Sequence, residues 1–169
     1  ADELLEDLSS FDPAVRDGAL TNLLQSKDAV FRPEGTNVNM HFHSFFSYNA
    51  EEWSPTRIAW EAKKAGLYAA GLCDFDVLDG LEEFIEAGLK LKLRTTVNLE
   101  TRAYLREFAA HDINSPGEPG VTYIMGAGFA FEPDPSCPQA RGLAGYRDRA
   151  RARNIALISG CWRTTRSGS

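Results

Sequence analysis

Apolar positions recur at helical spacing from Asp2 to Lys27 and are interrupted by Ser9-Ser10-Phe11-Asp12-Pro13. Proline suits the first position of a helix, and Asp12 ahead of it can accept from an orphan backbone amide, so two short helices are predicted. Arg32-Pro-Glu-Gly35 then carries turn chemistry. From Thr36 to His43 the pattern changes to strict alternation, with Val38, Met40 and Phe42 on one face and Asn37, Asn39, His41 and His43 on the other. Period two is the signature of a strand. Ser54-Pro55 opens a helix whose apolar stripe is Ile58, Ala59, Ala62 and Ala65, closed by Gly66. Tyr68 to Asp74 is a short, mostly apolar run, as expected of a strand covered on both faces. The cycle repeats with a helix from Leu78 to Lys90, carrying Leu81, Phe84, Ile85 and Leu89, and a strand from Arg94 to Glu100. Strands alternating with helices predict parallel βα units.

Beyond Glu100 the pattern loosens. Asn114 to Gly120 is a loop by its Pro and Gly content, Val121 to Phe129 a fourth strand, and Glu132 to Pro138 a second breaker. A basic helix follows from Gln139 to about Leu157, and Ser159 to Ser169 shows no periodicity. The expected organisation is a helical segment over 1–35, the βα portion over 36–158 and an irregular tail over 159–169.

A chain of 169 residues with 43% hydrophobic content is large enough to bury one core. Its net charge of −6 argues against a surface built to neutralise nucleic-acid phosphates or anionic lipid, and favours small-molecule or protein partners. Cys73, Cys137 and Cys161 are widely spaced and odd in number, which predicts neither a disulfide framework nor a cysteine zinc site, and fits a reducing cytoplasm. No apolar run is long enough to span a bilayer, and the acidic start is unlike a secretory signal. The first residue is Ala rather than Met, consistent with a partial chain.

Two of the three histidines, His41 and His43, stand two apart on a predicted strand, so both imidazoles point to one side within reach of one metal ion. Hydrogen-bonded histidines at a pocket rim would show the same spacing. Asp74 and Asp76 lie where the second strand ends and Glu100 where the third ends. Parallel sheets gather ligands at the carboxyl ends of their strands, so His41, His43, Asp74 and Glu100 are expected to converge there as metal ligands. Helix capping or turn chemistry is the favoured role for Asp76 and Asp79. Imidazole and carboxylate together suit zinc, manganese or iron, ions that activate water and clamp a phosphate or acyl oxygen. Arg102 and Arg106, just past Glu100, are candidates to bind a phosphate, or equally a solvated surface.

At these residues the sequence resembles the PHP family, the polymerase and histidinol phosphatase metal-dependent phosphoesterases. The resemblance runs from about Asn39 to Phe129, through Met-His-Phe-His-Ser (40–44), Leu-Cys-Asp-Phe-Asp (72–76) and Val-Asn-Leu-Glu-Thr (97–101). It implies an α/β fold, a distorted (βα)7 TIM-like barrel, here incomplete, with divalent metal ions at the strand ends and hydrolysis of a small phosphorylated substrate. By the same resemblance His41 and His43 are metal ligands and Glu100 is the carboxylate that bridges metals. The chain departs from the family at two positions inside this stretch. Phe75 and Tyr123 stand where the family usually has histidines, and the final motifs, with a histidine and an Asp-x-His pair, have no counterpart after His111. A chain that ends before the barrel does would explain the missing final motifs but not Phe75 and Tyr123. Those two favour the alternative expectation, a PHP-like scaffold that binds a ligand or partner without turnover. An unrelated TIM-like amide hydrolase shares the early geometry and ranks last.

Overall fold

The elements are those a βα pattern demands, up to the point where the pattern loosens. The computed structural model of the chain describes residues 2–26, 29–48, 50 and 52–166, with the backbone alone at 150, 153, 154 and 157–166. They form helices α1 (Asp2–Asp7) and α2 (Pro13–Gln25), strand β1 (Val38–Phe42), α3 (Pro55–Lys64), β2 (Ala69–Phe75), α4 (Leu81–Leu91), β3 (Arg94–Tyr104), a 3-10 turn (Arg106–Phe108), β4 (Val121–Ala127) and α5 (Pro138–Arg166). The chain divides into two units, 1–131 and 132–169.

Local chemistry explains the helix ends. Asp12 caps α2 by accepting from the Ala14 amide, with Pro13 in the first turn. Ser54 caps α3 by accepting from the Arg57 amide. Gly66 takes the left-handed conformation (φ 77°) and lets its own amide and that of Leu67 satisfy the last carbonyls of α3, those of Lys63 and Ala62. Helix α4 begins three residues later than the apolar pattern suggests, at Leu81, because Gly80 and not a side chain occupies its cap. Its buried stripe is Leu81, Phe84, Ala87, Gly88 and Leu91, while Leu89 faces solvent. In α3 the buried set takes in Trp60, and Ala65 is exposed.

The four strands form one sheet in the order β1-β2-β3-β4. β1, β2 and β3 are parallel. The fourth strand departs from the parallel βα units predicted before it: β4 runs antiparallel to β3 from Tyr104↔Val121 to Asn98↔Ala127. Between them lies only the short turn and loop, and a return without a crossover helix reverses the strand direction. β2 is buried along its whole length, as a central strand covered on both faces should be.

Alternation assigns the two faces. Leu72 of β2 and Pro55 of α3 both lie against the position of Gly80, and Thr95 against Gly88, so the faces carrying Leu72, Asp74, Thr95, Val97 and Leu99 pack on α3 and α4. Gly71, Cys73, Phe75, Asn98 and Glu100 belong to the opposite face. On the helical side, buried Arg16 of α2 pairs with Glu83 of α4, which also accepts from the Thr56 amide (3.0 Å) and hydroxyl (2.6 Å) at the start of α3. One carboxylate thereby ties three helices together.

In the second unit, Asp134 accepts from the Ser136 amide and hydroxyl, and α5 starts at Pro138. The helix continues through 159–166, where an irregular tail is expected from the sequence, and 167–169 lie outside the described residues. Among the described residues no helix is long and apolar enough to cross a membrane.

Candidate metal centre

β1 is not a regular strand, and its irregularity aims the histidines. Its register on β2 slips between Asn39 and Phe42. At that slip the Met40 backbone lies so close over Gly71 that a Cβ there would sit 2.7 Å from the Met40 Cα and carbonyl oxygen. Only glycine permits this approach. The Met40 carbonyl is then taken by the Asn98 side-chain amide of β3 at 3.0 Å, reaching past β2. Asn98 Oδ1 in turn accepts from the Gly128 amide at 3.2 Å. A single buried amide thus joins the bulge in β1 to the end of β4.

His41, His43 and Glu100 meet on this face. His41 Nε2 lies 3.0 Å and His43 Nε2 3.7 Å from Glu100 Oε2, and one ligand atom from each residue falls within 4.8 Å of the other two. Glu100 is buried, His43 partly buried and His41 exposed. The Nδ1 of His43 lies 3.4 Å from the Ser47 hydroxyl, and a hydrogen bond to the Cys73 backbone also holds the ring. Anchoring the imidazole this way fixes the orientation in which it presents Nε2. Burial, and then the neighbouring His41, lower the His43 pKa against the opposing pull of Glu100 and the Cys73 backbone. A lowered pKa favours the neutral ring, the form that ligates metals. The Cys73 thiol is pushed up to about 11 by burial and by the charges of Glu100 and Asp74, so it stays protonated. Cys73 and Cys137 are free.

The other predicted site residues lie elsewhere. Asp74 is buried and turned away from the group: its Oδ1 accepts from the Ser44 amide and its Oδ2 from the Ser44 hydroxyl, both at 2.6 Å. Burial pushes its pKa up to about 6, with the two Ser44 bonds opposing and Asp79 adding to the rise. By fixing Ser44, Asp74 holds the loop that follows His43, so its effect on the group is indirect. Asp76 is in the left-handed region (φ 61°), gives its amide to the Glu100 carbonyl and accepts from the Thr101 hydroxyl, which is turn chemistry. Arg102 shares the Glu100 face of β3 but is exposed and paired with Glu118. Arg106 is exposed in the 3-10 turn.

Phe75 and Tyr123 are in contact with each other, ring centroids 5.7 Å apart and edge to face. Phe75 also stacks on His43 at 5.4 Å and 8°, and meets Tyr48 at 4.9 Å. The two positions where the family resemblance calls for imidazoles therefore form an aromatic wall beside the histidines. Ser44, Ser47 and Asn98 escaped the sequence reading, because single polar residues carry no periodic signal. A cavity of about 370 Å³ lies apart from this face, between α2 and α4, lined by Arg16, Asp79, Glu82, Glu83 and Glu86 among others.

No family model matches the chain. It is 30% identical over 128 residues to the error-prone DNA polymerases of Mycobacterium tuberculosis and Mycobacterium bovis, a stretch that covers 73% of this chain. The chain spans about 10% of the length of these curated relatives. Among solved structures, a protein from Bifidobacterium adolescentis assigned as a metal-dependent phosphoesterase aligns with 28% identity and a TM-score of 0.37. That alignment covers 43% of this chain and 24% of the other.

Proposed function

We propose that this chain is a PHP-like, metal-dependent hydrolase of a small phosphate ester, acting in the cytoplasm, with residues 36–158 as its PHP-like portion. The observation that carries the reading is the convergence of His41, His43 and Glu100 from two strands separated by a third. An ion with tetrahedral bonds of about 2.0–2.2 Å holds its ligand atoms about 3.3–3.6 Å apart. The 3.0 and 3.7 Å separations from Glu100 bracket that spacing, and with all three ligand atoms within 4.8 Å of one another a small closing of the two imidazoles suits the donor set to a divalent ion such as zinc, manganese or iron. When bound, such an ion supplies Lewis acidity toward a phosphoryl oxygen. The chain's own groups do the rest: Ser47 and Cys73 orient His43, Asn98 holds the bulge that carries His41, and buried Glu100 supplies the anionic ligand. Arg102, on the same face, exchanges its Glu118 partner for the phosphate. From the polymerase relatives, which share this stretch as a tenth of their length, no polymerase activity is carried over.

The test is metal analysis of the purified protein, followed by hydrolysis of p-nitrophenyl phosphate with and without chelator. Chelator-sensitive turnover that drops about 100-fold or more in Glu100→Gln is expected, since even partners one shell out from a metal cost 10–100-fold. Turnover untouched by chelator and by Glu100→Gln would remove the reading. The Phe75–Tyr123 contact favours a second one, a scaffold that binds without turnover, which predicts a bound ion and no hydrolysis of any phosphate ester.

A further inference from the structure

We infer that the His41–His43–Glu100 group holds one divalent ion and not a cluster of ions, because no neighbouring side chain among the described residues supplies a second set of ligands. The inference rests on the metal-dependent reading above and specifies its stoichiometry. A second ion beside the first needs a bridging oxygen and at least two further oxygen, nitrogen or thiolate donors within a few ångströms. Cys73, on this face across from Asn98, is fully buried and gives at most one donor, and sheet register identifies the residues beside Glu100 that could give others. Across from Glu100 on β2 stands Phe75, and across on β4 stands Met125. Two positions along β3, on the same face, stand Asn98 and Arg102.

None of the four is free to serve. Phe75 offers no donor and is itself held between His43 and Tyr123. Met125 offers only a thioether, a poor ligand for ions that take imidazole and carboxylate. Asn98 already uses both ends of its amide, on Met40 and Gly128. Arg102 is a fixed cation and repels a second one. Asp74, the nearby carboxylate on β2, faces the helices with both oxygens on Ser44. Among the described residues no other group of three His, Cys, Asp or Glu side chains gathers within ligand distance. Two imidazoles and one carboxylate around a single ion leave coordination positions open for water or substrate, the arrangement of mononuclear catalytic sites.

The test is a Co2+ titration of the purified protein followed by its visible d–d absorption, with Zn2+ equilibrium dialysis as a check. One equivalent is expected for the native chain. Loss of that equivalent is expected in His41→Ala, whose exposed side chain can be removed without disturbing the core, and in Glu100→Gln with its circular dichroism unchanged. Two or more equivalents lost together in His41→Ala overturn the single-ion inference and leave the metal-dependent reading standing. No bound ion at millimolar metal overturns both, and one equivalent that survives His41→Ala and Glu100→Gln places the ion elsewhere and also overturns both.

Discussion

At the scale of single residues, the chemistry is set by which oxygen and nitrogen atoms are already engaged. Asp74 and Glu100 are both buried carboxylates, Asp74 next to the end of β2 and Glu100 inside β3, yet one is saturated by Ser44 and the other faces two imidazoles. Their difference follows from alternation, which turns Asp74 toward the helices and Glu100 away from them. The Asp74 carboxyl has a measurable signature. Its pKa stands at about 6 against an ordinary 3.8, so between those values the folded state binds the proton more tightly than the unfolded chain. Stability from this group is therefore present at low pH and lost as pH rises through about 6. At about 1.36 kcal/mol per unit, the cost above pH 7 is about 3 kcal/mol. Asp74→Asn removes the charge, keeps one oxygen to accept from the Ser44 amide, and turns the second bond round so that its amide nitrogen donates to the Ser44 hydroxyl. Urea melts from pH 4 to 8 should show the variant gaining on the native chain up to about pH 7 and then running parallel to it. A constant difference across that range would mean that the Asp74 pKa is not raised in the folded state.

At the scale of elements, the decisive feature is the bulge of β1 over Gly71. It departs from regular pairing where the histidines begin, and it is held by Asn98 from a strand two places away. Gly71→Ala puts a methyl 2.7 Å from the Met40 backbone, and backbone cannot rotate away as a side chain would. Overpacking of this kind costs about 1–3 kcal/mol. The displaced β1 should carry His41 and His43 away from Glu100, so metal affinity is expected to fall together with the melting temperature. Gly18→Ala is the control, because nothing lies within 4 Å of that position. Equal metal affinity in the two variants would show that the bulge does not set the site. The periodic elements α2, α3, β2 and β3 were legible in the sequence, since each carries its own cap or its own burial pattern. The bulge was not, because the contact that makes it, Met40 on Gly71, joins residues 31 positions apart and leaves no local trace.

At the scale of the whole molecule, the strands and His41, His43 and Glu100 lie within 1–131. The 1–131 segment expressed alone should keep a cooperative melt and the native metal stoichiometry. Loss of either would show that 132–169 contributes to the fold or to the site. The sequence by itself determined the order of elements, the capped helices, the parallel β1-β2-β3 arrangement and the pairing of His41 with His43. Each of these rests on periodicity or on residues a few positions apart. The sequence also placed Glu100 with the histidines, whereas tertiary structure alone decided that Asp74 does not join them, that β4 returns antiparallel, and that Phe75 and Tyr123 close on each other. Those outcomes depend on which faces of separate strands are brought together, and a face is shared only once the register between strands is fixed.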